Sequence, residues 1–220
     1  MSPFGRIGMS LSLLLLATSG TVAWLVSHQS RALSSAPNLL DVPRHPVTEP
    51  MWQKAKAVAG KPGPNFQLKD PLGKAVQLSD LCKSGPVILV FTKDNCPCSI
   101  EAQPFFNQIA KGFEGKVTFV GIIDGPSYVA SKFHDDFKVP YQMLLAEKGE
   151  VFKAYDAQQS AYTTLVDSKG IVIKQWPGYC RSMLVELDEE IAKLTGGKAV
   201  QIDTTMAPEK MNSGCAFAFD

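Results

Sequence analysis

The chain has 220 residues, 45% of them hydrophobic, and a formal net charge of +1. That is enough for one globular domain with extensions. There is no basic excess, and few aromatics sit near basic runs, which sets aside a nucleic-acid partner.

Residues 1–30 stand apart. The run "IGMSLSLLLLATSGTVAWLVS", residues 7–27, carries no charge. It is about as long as a helix that spans a bilayer. It exceeds the usual apolar core of a signal peptide, about 7–15 residues. The reading is an N-terminal hydrophobic helix serving as a membrane anchor. A signal peptide cleaved after Ser34 is the other reading. Either one exports the domain, so the location expected is extracytoplasmic, periplasmic or cell-surface. Arg6 and the amino terminus favour a cytoplasmic N-terminus. Outside the cytoplasm disulfides persist. Five cysteines (Cys82, Cys96, Cys98, Cys180 and Cys215) leave at least one thiol unpaired in a monomer.

Residues 31–63 read as a Pro-rich linker. Within it, residues 51–60 can form a short helix before "KPGP" breaks it. The compact domain is expected over residues 64–197. It opens with a hairpin, in which Phe66 and Leu68 alternate, "DPLGK" turns, and Val76 and Leu78 alternate. "PVILVFT" and "KVTFVGIID" are continuous apolar runs, which suit strands buried on both faces. Between them residues 97–112 show a helical face of Ile100, Phe105, Phe106 and Ile109. Strand, helix, strand implies a parallel crossover. Residues 127–137 follow as a helix with Tyr128, Phe133 and Phe137 inward. A short strand and a turn come next, then the hairpin "TTLVDSKGIVIKQW". Residues 181–194 are an amphipathic helix with Met183, Leu184, Leu187, Ile191 and Leu194 inward. Residues 198–220 read as a flexible tail. The fold class is α/β, a central mixed sheet flanked by helices.

The chemistry concentrates at "FTKDNCPCSIEAQP". The motif follows a buried strand and opens a helix, and sites form where such strands end. Pro97 suits the first helical turn, where its missing N–H costs nothing. Cys96 is then the N-cap and Cys98 lies in the first turn. Free N–H groups and the positive end of the helix dipole lower a thiol's pKa there, and Lys93 can add to this. A thiolate is the nucleophile of thiol–disulfide exchange. Residues i and i+2 do not share a helical face, so a Cys96–Cys98 disulfide needs Cys96 outside helical geometry, which an N-cap provides.

Together, "GKPGPNFQLKDPLGKAVQLSDL", the Cys-Pro-Cys segment, "VTFVGIIDG" and "TTLVDSKGIVIKQWPGY" resemble the thioredoxin-like superfamily. The branch they resemble most is the redoxin, or alkyl hydroperoxide reductase/TSA, branch. The resemblance covers residues 60–195. It implies a thioredoxin-like fold and a reactive thiol at the strand-to-helix junction, with Pro104 matching a family proline. Counting from Pro104 puts that thiol at Cys98, while counting from "NCP" puts it at Cys96. Cys96 is favoured because it should be the more exposed. Thr92 matches a family threonine, displaced upstream. The family's peroxide-binding arginine is missing, because Arg181 lies on a different element. The family's cis-proline position holds Ala161, so a trans bond is expected.

The expected function is therefore thiol–disulfide exchange in which Cys96 attacks and Cys98 resolves. Its partners are protein or small-molecule disulfides, a thiol electron donor and the membrane, with no cofactor. A thiol-dependent peroxidase is the alternative of the same fold. A redox-inactive binding module and a Cu(I)-handling protein are the others, since paired thiolates suit a soft ion. Cys82 and Cys180 are expected to be structural. Cys215, on the tail, is a candidate resolving thiol. His134 is expected on a solvated helix face.

Overall fold

The run Val87–Lys93 is central because it has apolar side chains for both faces. In the computed structural model, which describes residues 43–218, Ile88 and Val90 enter one core. Val87, Leu89 and Phe91 enter the other. Alternation along an extended chain puts successive side chains on opposite faces, so a strand with no polar face has to be covered twice.

The elements in chain order are α1 (Glu49–Val58), β1 (Gln67–Lys69), β2 (Ala75–Gln77), α2 (Leu78–Leu81) and β3 (Val87–Lys93). They continue with α3 (Pro97–Gly112), β4 (Thr118–Asp124), α4 (Ser127–Asp136), β5 (Gln142–Leu145) and α5 (Glu150–Ala154). The last are β6 (Thr163–Val166), β7 (Val172–Trp176) and α6 (Arg181–Thr195). The strands form one seven-stranded sheet in the order β2-β1-β5-β4-β3-β6-β7. β3, β4 and β5 are parallel neighbours, and β1, β2, β6 and β7 pair antiparallel. The mixed sheet, the hairpin with Leu68 opposite Val76, and the parallel crossover follow the sequence reading.

One face of the sheet is covered by α3, α4 and α6, through Phe105, Phe106, Ile109, Phe133, Met183, Leu187 and Ile191. The other is covered by α2 and α5, through Leu78, Val151 and Phe152. Gly121 of β4 lets the helical face close down, because a Cβ there would lie 2.3 Å from the Met143 sulfur.

Several expectations change. Residues 43–63, read as linker, pack on the domain. Ala55 of α1 is buried, and the backbone bonds Gly60 N–H to Val172 O and Gly63 N–H to Gly170 O tie the segment to β7 and its turn. Tyr128 points out, 71% exposed, because it falls off the α4 stripe of Val129, Ala130 and Phe133. Leu194 is also exposed, at the last turn of α6.

The segment read as a flexible tail lies against the domain over residues 198–218. Buried Asp188 of α6 accepts the N–H groups of Val200 and Gln201. Arg181 binds the carbonyls of Thr204 and Thr205 and pairs with Glu209. Tyr179 and Asn212 exchange backbone bonds in both directions. The composition is short of large apolar residues, but backbone hydrogen bonds need none. The anchor segment, residues 7–27, lies outside the described residues. Among the described residues no helix is long and apolar enough to cross a membrane.

Candidate active site

β3 ends at Lys93, and the chain must turn before α3 begins. Asn95 makes the turn in the left-handed region, φ 54°, which Asn tolerates better than most side chains. Cys96 follows in extended geometry, φ −86° and ψ 117°, as the N-cap of α3, and Pro97 takes the first helical position. This is the arrangement that the Cys-Pro-Cys spacing predicts. Cys98 sits in the first turn, facing the core.

Cys96 is not an exposed thiol as expected: both cysteines are buried, with Cys96 1% exposed and Cys98 fully buried. The cover is residues 212–217. Gly214 N–H donates to Ser160 O, Ser160 N–H to Cys215 O, and Phe217 N–H to Gln158 O. The Phe217 ring stacks on Phe152 with centroids 3.8 Å apart. The C-terminal segment thus runs antiparallel along residues 158–160, with Gln159 opposite Ala216. It places Cys215 over the thiols.

The Cys96 sulfur accepts the Ser160 hydroxyl at 3.2 Å and the Cys215 backbone N–H at 3.1 Å. Its pKa falls well below the usual thiol range. The largest cause is a hydrogen bond from the Cys98 thiol. Burial opposes it, and the Cys215 thiol, the Ser160 hydroxyl and the Cys215 N–H reinforce it. Cys98 is pushed up by the same bond seen from its other end, then by burial and the negative charges of Cys96, Glu101 and Cys215. Cys96 therefore carries the charge and Cys98 keeps the proton. Cys215 is pushed up, first by burial and then by its bond to Cys96, with Lys93 acting against this.

The other predicted residues divide. Lys93 is half-buried and pairs with Asp124 at 2.7 Å, and the thiol it bears on is Cys215. Thr92 is buried in the β3–β4 ladder, opposite Ile123, and the hydroxyl bonded to Cys96 is that of Ser160. Arg181 is engaged with residues 204, 205 and 209 instead of the thiols. No cis peptide bond occurs among the described residues; Ala161 is trans, with φ 60°. That conformation is unfavourable for a residue with a Cβ. It is held by the Ala161 N–H bond to Phe91 O at 2.7 Å. Cys82 and Cys180 are buried, Cys180 as the N-cap of α6. His134 is on an exposed face beside Asp135.

Sequence reasoning missed two residues. Ser160 gave no signal beyond its place before β6. His45 lies in the stretch read as linker, yet its Nδ1 is 3.3 Å from the Cys98 sulfur. Among the described residues no group of three or more His, Cys, Asp or Glu side chains is arranged to hold a metal ion.

A mixed sheet with helices on both faces and a thiol at the head of the helix after its central strand defines a thioredoxin-like domain. The fold is shared with a thiol:disulfide interchange protein DsbE from Chlorobium tepidum, TM-score 0.58 and 24% identity. That match covers 63% of this chain and 98% of that one. It is also shared with peroxidoxin BcpB from Mycobacterium tuberculosis, TM-score 0.55 and 24% identity, over 63% and 96% of the two chains. The AhpC/TSA family model matches residues 59–175, more than half of the sequence, and the chain belongs to that family.

Two curated relatives represent the family's two sides. Peroxiredoxin Q, chloroplastic, from Triticum aestivum is 30% identical over 154 residues, covering 66% of this chain and 70% of that protein. The thiol-disulfide oxidoreductase ResA from Bacillus subtilis is 33% identical over 117 residues, covering 52% and 65%.

Proposed function

We propose that the protein is an extracytoplasmic thiol–disulfide oxidoreductase in which Cys96 is the attacking thiol. One observation carries this reading: the Cys96 sulfur sits at a helix N-cap and collects hydrogen bonds from Ser160 and Cys215, with Cys98 and Cys215 thiols against it. Such a sulfur is a thiolate at neutral pH, with a second thiol in place to resolve a mixed disulfide. Cys96 attacks a protein or small-molecule disulfide, Cys98 resolves the product, and a thiol donor restores the pair. Cys215 is a second candidate for the resolving role. The residue 7–27 segment would tether or export the domain.

Similarity to peroxiredoxin Q supports a second reading, peroxide reduction at the same thiol. The engagement of Arg181 with residues 204–209 speaks against it, because a peroxide site gains from a guanidinium beside the developing charge.

The test follows thiol loss in the reduced protein against a disulfide substrate and, separately, against hydrogen peroxide. Exchange predicts rapid loss with the disulfide that Cys96→Ser abolishes. Equal consumption in wild type and Cys96→Ser would rule the reading out, and loss with peroxide alone would move it to the peroxidase.

A further inference from the structure

We propose that His45 is the catalytic base that takes the proton from Cys98 when this thiol resolves the mixed disulfide on Cys96. The proposal rests on the exchange reading above and adds a residue to it. Cys98 attacks only as a thiolate, and once Cys96 is tied up in the mixed disulfide, burial and the nearby Glu101 and Cys215 still hold the proton on it. It is fully buried, so the proton needs a protein acceptor.

Two groups bear on Cys98 as candidate acceptors, Glu101 and His45. The Glu101 carboxylate is engaged: it pairs with Arg44 at 2.9 Å and accepts the Tyr179 hydroxyl at 3.3 Å. His45 Nδ1 is 3.3 Å from the Cys98 sulfur. With the ring proton on Nε2, Nδ1 has a free lone pair for the S–H.

The placement of His45 is built. Its N–H donates to Asn212 Oδ1 at 2.9 Å, and its carbonyl accepts Ser213 N–H at 2.8 Å and Ser213 Oγ at 3.0 Å. Pro46 lies opposite Asn212 in an antiparallel bridge. The same C-terminal segment, three residues on from Asn212, carries Cys215 to Cys96. One two-stranded clasp therefore delivers the imidazole to Cys98 and the third thiol to Cys96. The charged and titratable groups around the pair are Cys96, Cys98 and Glu101 at the head of α3, Arg44 next to His45, Tyr179 before α6, and Cys215.

The step balances. The Cys98 S–H gives its proton to Nδ1, and the resulting thiolate attacks the Cys96 sulfur. The Cys96–Cys98 bond forms as the bond to the substrate sulfur breaks. The substrate thiolate leaves and takes the proton from the imidazolium. Over both steps the two cysteines lose two electrons, and the substrate disulfide, gaining them, becomes two thiols.

The experiment uses the full chain with Cys215→Ser, so that Cys98 alone can resolve, and a symmetrical aryl disulfide whose thiolate is coloured. Cys96 attack releases one thiolate and resolution by Cys98 a second. His45→Gln should slow the second release about 10²-fold relative to the first near neutral pH, the scale of a lost general base. It should also make that release climb steeply with pH. An unchanged ratio and pH profile in His45→Gln would overturn the proposal while leaving exchange standing. A single release in the parent with His45 intact would remove Cys98 as resolver and overturn the proposal while leaving attack by Cys96 standing, and no release at all would overturn the exchange reading as well. Loss of both releases in His45→Gln and His45→Asn alike would assign His45 to the fold and overturn the proposal.

Discussion

The backbone N–H of Cys215 donates to the Cys96 sulfur at 3.1 Å, across 119 positions of sequence. The Cys215 thiol also bears on that sulfur and helps lower its pKa. Cys96 therefore meets a partner thiol on each side, Cys98 within its own helix and Cys215 from the far end of the domain. A disulfide from Cys96 to Cys215 would leave α3 undisturbed, whereas one to Cys98 must form within three residues.

The first prediction concerns that choice. In Cys98→Ser, oxidation should join Cys96 to Cys215, seen as a linked peptide pair by mass mapping. A Cys215 thiol that stays free while Cys96 is oxidised would remove it from the resolving role.

A second prediction follows from the Ser160 hydroxyl on Cys96. A hydrogen bond to a charged group contributes about 1.5–3 kcal/mol, and one pKa unit corresponds to about 1.4 kcal/mol. Ser160→Ala should move the midpoint of Cys96 alkylation against pH upward by about one unit or more. An unmoved midpoint would mean that the hydroxyl does not bear on the thiolate.

Linkage gives a third. The Cys96 pKa is depressed in the folded state. Its contribution to stability is therefore fully present above the unfolded thiol value, about 8.5, and is lost as pH falls through the folded value. Cys98 is raised, so its contribution is present below about 8.5 and is lost only as pH rises through its folded value. The stability of wild type minus that of Cys96→Ser should grow between about pH 5 and about pH 8. Urea denaturation at several pH values reads it, and a difference that shrinks would contradict the assigned charge.

A fourth prediction tests the cover over the thiols. A Cβ on Gly214 would lie 1.8 Å from Ser160 Oγ and 2.7 Å from its carbonyl oxygen. The carbonyl is backbone and cannot swing aside. Gly214→Ala should displace the segment, destabilise the domain by about 1–3 kcal/mol, and speed alkylation of Cys96. An alkylation rate equal to wild type would show that the segment does not shield the sulfur.

The last concerns the root of that segment. Buried Asp188 accepts two backbone N–H groups, from Val200 and Gln201. Asp188→Asn turns one acceptor into a donor facing a donor and should cost about 1–3 kcal/mol in chemical denaturation. A midpoint unchanged from wild type would show that the segment is held elsewhere.

Much of the fold was legible in local pattern. The two-faced run Val87–Lys93 required cover on both sides, and it has it. The junction at Cys96 was legible too, because an N-cap followed by proline is a local rule that needs no partner. Tyr128 and Leu194 misled for the opposite reason: each sits at the margin of its helix stripe, where neighbouring elements set exposure.

The sequence by itself determined the strands β3, β4, β6 and β7, the helices α3, α4 and α6 and the place of the thiol pair, all set by the periodicity of side chains a few residues apart. Only the tertiary structure decided what surrounds the pair. His45, Ser160 and Cys215 come from three separated segments, and the bonds that gather them are largely backbone bonds with long loops between. Every residue carries those backbone groups alike, so no pattern of side chains announces which segments they will join.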